Sequence, residues 1–208
     1  MAKFHIAFDD GDVSLGAYFE QSKVRLVDFI VDHDVQHQIA EIGGASCTHG
    51  FFDPYLKALA PGAFLFIAYS HGNYSSLTAA SGAYIGYPGN VNYFTNSFFY
   101  SMACNTGKTM GPALIARGCL AFIGYSSTAY AARDKNMDLF IQCDNYGLEQ
   151  FMQGSSVKES FNSMKSYFRE NIKQLVREKN ILMAGYLRSN LACLVYYAPD
   201  PNLMFSAF

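Results

Sequence analysis

Hydrophobic positions in this chain fall mostly in short, nearly continuous runs, at residues 4–8, 63–69, 98–103 and 119–125. Runs of this length, rich in Phe, Ile and Tyr, predict strands covered on both faces; half-exposed strands would alternate apolar and polar residues. Between them the apolar spacing becomes helical. Tyr18, Phe19, Leu26, Phe29 and Ile30 share one face of a helix expected over 14–30. A second strand is expected over 35–42, closed by Gly43-Gly44. Asp53-Pro54 reads as the N-cap and first residue of a helix that ends at Pro61-Gly62. Residues 83–87 and 91–95, on either side of Pro88-Gly89-Asn90, read as a hairpin. A helix over 111–117 should stop at Gly118. Two helices are expected in the later region. The clearer opens with the capping box Ser156-Val157-Lys158-Glu159 and continues with Phe161, Met164, Phe168, Ile172, Leu175 and Val176 at helical spacing. A last apolar run covers 191–197.

Strands alternating with helices predict an α/β protein, a three-layer α/β/α sandwich around a mainly parallel sheet. No linker, repeat or low-complexity segment divides the 208 residues, so one domain over 1–208 is expected. Fifteen basic against seventeen acidic residues give a formal charge of −2, which offers no basic surface to nucleic acid. No apolar run is long enough to span a bilayer, and the N-terminus lacks the apolar stretch of a signal peptide. Five cysteines without framework spacing are expected as free thiols, and with no export signal they favour the cytoplasm. Cys119, Cys143 and Cys193 sit among apolar residues and read as small buried hydrophobes.

Two of the apolar runs stop at reactive side chains. The run 63–69 leads into Ser70-His71-Gly72, and the run 98–103 leads into Cys104-Asn105-Thr106-Gly107. In an open α/β sheet the chemistry sits beyond the carboxyl ends of the strands. Neighbouring strands would hold an imidazole and a thiol at one edge, the minimum equipment of a cysteine hydrolase.

An apolar block before His71-Gly72 and another before Ala103-Cys104, in that order, resemble the caspase-hemoglobinase fold of cysteine peptidases, which includes caspases, gingipains, clostripain and the CHAT domains. The helix after the cysteine, Gly118 and Leu120-Ala121-Phe122-Ile123-Gly124 fit the same pattern. Tyr196 to Leu203 resembles the Gly-Asp-Pro-x-Leu close of gingipain and CHAT relatives, with Ala198-Pro199 in place of the glycine. The resemblance implies a caspase-like topology and an endopeptidase. Cys104 would be the nucleophile, His71 the proton carrier, and the N–H groups of Gly72 and Cys104 the oxyanion hole. It places Tyr125, Ser126 and Ser127 beside the scissile residue, with Asp134 as a source of charge there. Met102 stands where basic-specific relatives carry an acid. The partners implied are a protein or peptide substrate and an activating protein or second copy, with no nucleic acid and no membrane. No metal or cofactor is needed. Segments 73–96 and 128–138 would gate access.

Other readings stand beside this one. A caspase-like chain without activity would be a binding module. Gly107-Lys108-Thr109 after a strand imitates a phosphate loop, although Met102 occupies the place of its first glycine. His33 and His37, if on one helix face, could join Cys47 and His49 around zinc. Asp9, Asp10 and Asp12 read as helix caps or as lining of the sheet edge.

Overall fold

The computed structural model describes residues 1–33, 37–60 and 62–208. Its frame is a six-stranded sheet of β1 (Ala2–Phe8), β2 (His37–Gly43), β3 (Phe64–Tyr69), β7 (Ser97–Ser101), β8 (Ala121–Tyr125) and β9 (Leu194–Tyr197), in the order β2-β1-β3-β7-β8-β9. All neighbours are parallel except β9, which runs antiparallel to β8. This is the α/β architecture expected, and it is consistent with a caspase-like fold.

Side-chain alternation explains why the central runs are apolar throughout. Leu65, Ile67 and Tyr69 of β3 point into one core, while Phe64, Phe66 and Ala68 point into the other. Phe98 and Tyr100 oppose Phe99 on β7 in the same way, and Ile123 and Tyr125 oppose Phe122 on β8. Helices α1 (Gly16–Asp32), α4 (Met137–Met152), α5 (Val157–Arg177) and α6 (Ile181–Cys193) cover the first core. Helices α2 (His49–Leu59) and α3 (Met110–Ile115) cover the second.

Several elements depart from the sequence expectation. Helix α2 begins at His49, capped by Thr48, whose side chain accepts from the Phe51 N–H at 3.2 Å. Pro54 therefore sits inside the helix, and Asp53 is not its cap. The expected strand residues 35 and 36 lie outside the described residues, as does Pro61. No hairpin forms between 83–87 and 91–95. The partner of β6 (Gly82–Gly86) is the upstream β5 (Ser76–Ala79), and residues 90–93 form a 3-10 turn. The Asn90 side chain causes this, accepting from the Gly86 N–H at 2.9 Å and donating to the Tyr84 carbonyl at 2.8 Å. Three helices, not two, fill the later region, because Leu191 to Cys193 complete α6 before β9 starts. The capping box at Ser156 and Glu159 is present.

His33 caps the end of α1 and His37 opens β2, so they share no helix face. Among the described residues no helix is long and apolar enough to cross a membrane.

Candidate active site

Strands β3 and β7 lie side by side in register, with Ala68 opposite Ser101. Pairing continues one step further through the Met102 N–H and the Ala68 carbonyl at 3.1 Å. His71 and Cys104 therefore leave the sheet at adjoining places and line one cavity. Gly72 shows how close the two loops come. A Cβ there would lie 2.9 Å from the Ala103 Cβ, the Cys104 carbonyl oxygen and the Thr106 Cγ2. Glycine is thus demanded by the cysteine loop itself, a packing reason beside the oxyanion role that the resemblance implies.

Residues 73–86, read from sequence as part of a gate, supply support for the histidine. His71 and Gly72 form β4, which pairs with β5, and β5 pairs with β6 in a small antiparallel sheet. The Ser70 hydroxyl bonds the buried Tyr84 hydroxyl at 2.7 Å.

His71 also has a partner that motif reading missed. Its Nε2 lies 3.1 Å from Asp12 Oδ2, and the Phe19 ring meets it edge-on at 5.5 Å. Asp12 is fixed from its other oxygen, which accepts from the Ser14 N–H, the Ser14 hydroxyl and the Leu15 N–H at 2.8, 2.7 and 2.6 Å. The Ser14 hydroxyl first, then these backbone donors and His71, hold the Asp12 carboxyl at about 2. Asp12 does line the sheet edge, as expected, and also reaches the imidazole. The signal available in the sequence was Asp12-Val13-Ser14, an Asx-turn pattern just beyond a strand end. Asp10 serves locally, accepting from the Gly44 N–H at 2.8 Å.

The Cys104 sulfur receives the Ala129 N–H at 3.3 Å. Asn105 follows in the left-handed region at φ 64°, a conformation asparagine tolerates better than most residues. Its N–H donates to the Ser127 carbonyl at 3.0 Å, and the Gly107 N–H donates to that of Tyr125 at 2.9 Å. Asn190 on α6 holds the next residue like a strand partner. Its Oδ1 accepts from the Tyr130 N–H at 2.7 Å and its Nδ2 donates to the Tyr130 carbonyl at 2.8 Å.

Cys104 is half-buried, whereas Cys47, Cys119, Cys143 and Cys193 are buried. Burial pushes the thiols of Cys47 and Cys119 up to about 12 and about 11, and raises those of Cys143 and Cys193 as well. Those four therefore remain protonated at neutral pH, and a thiol is a poor nucleophile.

The expected pocket residues are dispersed. Tyr125 is fully buried, its hydroxyl bonded to Asp144 at 2.6 Å. Ser126 and Ser127 line a separate open groove with Thr128, Tyr130 and Ser189. Asp134 is solvent-exposed and accepts from Asn136. The cavity at His71 and Cys104 is walled instead by Leu15, Phe19, Met102, Ala129 and Ala131, with Tyr18 and Asp144 behind. Lys108 rests over the Tyr74 ring at 4.6 Å, and α3 after it has six residues, so the phosphate-loop reading gains no support.

Asp144 carries a stability prediction. Burial raises its carboxyl to about 6 from 3.8, against the opposing pull of the Tyr125 and Tyr18 hydroxyls. Between those values the native state binds the proton that the unfolded chain has released, so this group lowers folding stability as pH rises from about 4 to about 6. Urea unfolding of the protein and of Asp144→Asn at both pH values should show the variant without that decline. Parallel pH profiles for the two proteins would refute it.

Neither a protein-family model nor a curated protein matches the chain. Among solved structures it is similar to a secreted C11 cysteine protease from Bacteroides thetaiotaomicron in complex with an irreversible peptide inhibitor. That likeness has 10% identity and a TM-score of 0.47, and covers 71% of this chain and 58% of the other. It is also similar to an inactive zymogen C11 protease from Parabacteroides distasonis, at 12% identity and a TM-score of 0.43, over 62% of this chain and 49% of that one. Both neighbours are C11 cysteine proteases. The chain spans about half the length of these structures.

Proposed function

We propose that the chain is a cysteine endopeptidase with Cys104 as nucleophile, His71 as proton carrier and Asp12 as the group that positions His71. The observation that carries this reading is the cavity shared by His71 and Cys104 at the ends of neighbouring strands, with His71 bonded to a carboxylate. A carboxylate on Nε2 fixes the orientation of the ring, leaving Nδ1 for proton transfer. The Cys104 thiolate attacks a peptide carbonyl carbon, forming a C–S bond and an oxyanion facing the N–H groups of Gly72 and Cys104. The adduct collapses as the C–N bond breaks and the leaving nitrogen takes the proton from His71. Water then adds to the thioester carbon, giving a proton to His71, and the C–S bond breaks to release the acid and return the Cys104 thiolate. Ser126 and Ser127, in the groove beyond residues 128–130, would meet substrate on the acyl side.

The test is carboxamidomethylation of the folded protein by iodoacetamide, read peptide by peptide. Cys104 should react faster than the four buried thiols and faster than in the His71→Ala variant. A Cys104 rate independent of His71 would overturn the assignment. Asp12→Asn should lower peptide hydrolysis by about 10²-fold, the lower end of what proton transfer contributes. The Asp12 carboxyl stays ionised down to about 2, so its own titration should leave no step in the wild-type rate between about pH 5 and about pH 9. An Asp12→Asn variant that hydrolyses peptide at the wild-type rate would show that the contact does not position His71.

A further inference from the structure

We propose that the cavity beside Cys104 selects a small, uncharged residue, with alanine as its type, on the acyl side of the cleaved bond. The inference rests on the reading of Cys104 as nucleophile and names the substrate class of that site. The cavity between His71, Cys104 and the walls has a volume of about 30 Å³, room for one or two water-sized groups. A methyl side chain fits that space. A guanidinium or ammonium on its three- or four-carbon stem does not.

The chemistry of the walls agrees with the size. Leu15, Phe19, Met102, Ala129 and Ala131 present apolar surface, and the polar side chains beside them, Ser70, Tyr18 and Tyr130, carry no charge. Asp144 is the carboxylate at the cavity, and both of its oxygens are already engaged. Tyr18 donates to Oδ2 at 2.7 Å and Tyr125 to Oδ1 at 2.6 Å, while Tyr100 donates to its main-chain oxygen at 2.9 Å. Asp144 is itself 4% exposed and belongs to the tyrosine-rich core. A cationic side chain would lose its hydration on entry and meet an acid already satisfied by phenols. The walls are also held in place. Ala129 is bonded to the nucleophile, and Tyr130 is clamped by Asn190 and stacked on Tyr186 at 4.6 Å.

The experiment uses peptidyl chloromethyl ketones that differ only in the residue bearing the ketone: Ala, Leu or Arg. The thiolate displaces chloride, so labelling of Cys104 by mass spectrometry reports occupancy of the cavity. The Ala reagent should label at least tenfold faster than the Arg reagent, with the order kept in Asp144→Asn. Met102→Ala, which enlarges the cavity, should raise the Leu rate relative to the Ala rate by tenfold or more. Fastest labelling by Arg, lost in Asp144→Asn, would overturn the inference, as would equal rates for all three. Should Cys104 take iodoacetamide in a His71-dependent way but no peptidyl reagent, the pocket assignment falls and the peptidase reading stands. Should His71-dependence also be missing, both fall. Wild-type rates alone decide between Ala and Arg if Asp144→Asn fails to fold.

Discussion

Cys104→Ala is expected to abolish peptide hydrolysis, with a fall of at least ~10⁴-fold in kcat/KM, the scale on which removal of a nucleophile acts. New termini generated in a proteome-derived peptide mixture are the readout, and only the wild-type protein should produce them. The variant should remain folded, because the sulfur is half-buried and its closest hydrogen-bond contact is the Ala129 N–H at 3.3 Å. A change in unfolding free energy within about 1 kcal/mol is expected. Cys104→Ser should be as inactive, since an alcohol there would stay protonated where a thiol can ionise. Cleavage that survives in Cys104→Ala would move the chemistry to another residue.

Gly72→Ala is expected to damage stability and activity together. The added methyl would stand 2.9 Å from three atoms, and one of them, the Cys104 carbonyl oxygen, is backbone and cannot swing aside. Relieving the overlap means separating the histidine loop from the cysteine loop by several tenths of an ångström. Overpacking of this kind costs about 1–3 kcal/mol. Displacing a reacting pair by a distance approaching 1 Å can cost about 10²-fold in rate. Thermal unfolding and iodoacetamide labelling of Cys104 on the same samples measure the two effects. A variant with wild-type melting and wild-type labelling would show that the loops are not in contact as described.

The sheet was legible because each central run is apolar on both faces, and His71 and Cys104 were legible because they end two such runs. Helix α5 declared itself by its capping box and its stripe from Phe161 to Leu175. Three features were not readable from local pattern. Helix α6 has apolar residues all round, so no stripe separates it from a strand, and residues 191–193 merge into β9. The pairing of β5 with β6 depends on where the Asn90 amide turns the chain, a side-chain effect invisible to propensity. The bond from Asp12 to His71 joins loops 59 positions apart in the chain. The cavity walls were missed for a related reason: Leu15, Phe19 and Ala131 reach the site from α1 and from the segment before α4, and no spacing rule connects them to Cys104.

Four of the fifteen tyrosines share one structural role. Tyr18 from α1, Tyr69 from β3, Tyr100 from β7 and Tyr125 from β8 all send their hydroxyls to Asp144 or Asn145 on α4. A purely oily face would let a helix roll against a sheet with little penalty. Four phenols converging on two consecutive residues give α4 a single azimuth, as a key fixes a wheel on its shaft. Replacing those rings with phenylalanine would preserve volume and hydrophobicity yet free that rotation, and the wall behind the nucleophile would turn with it.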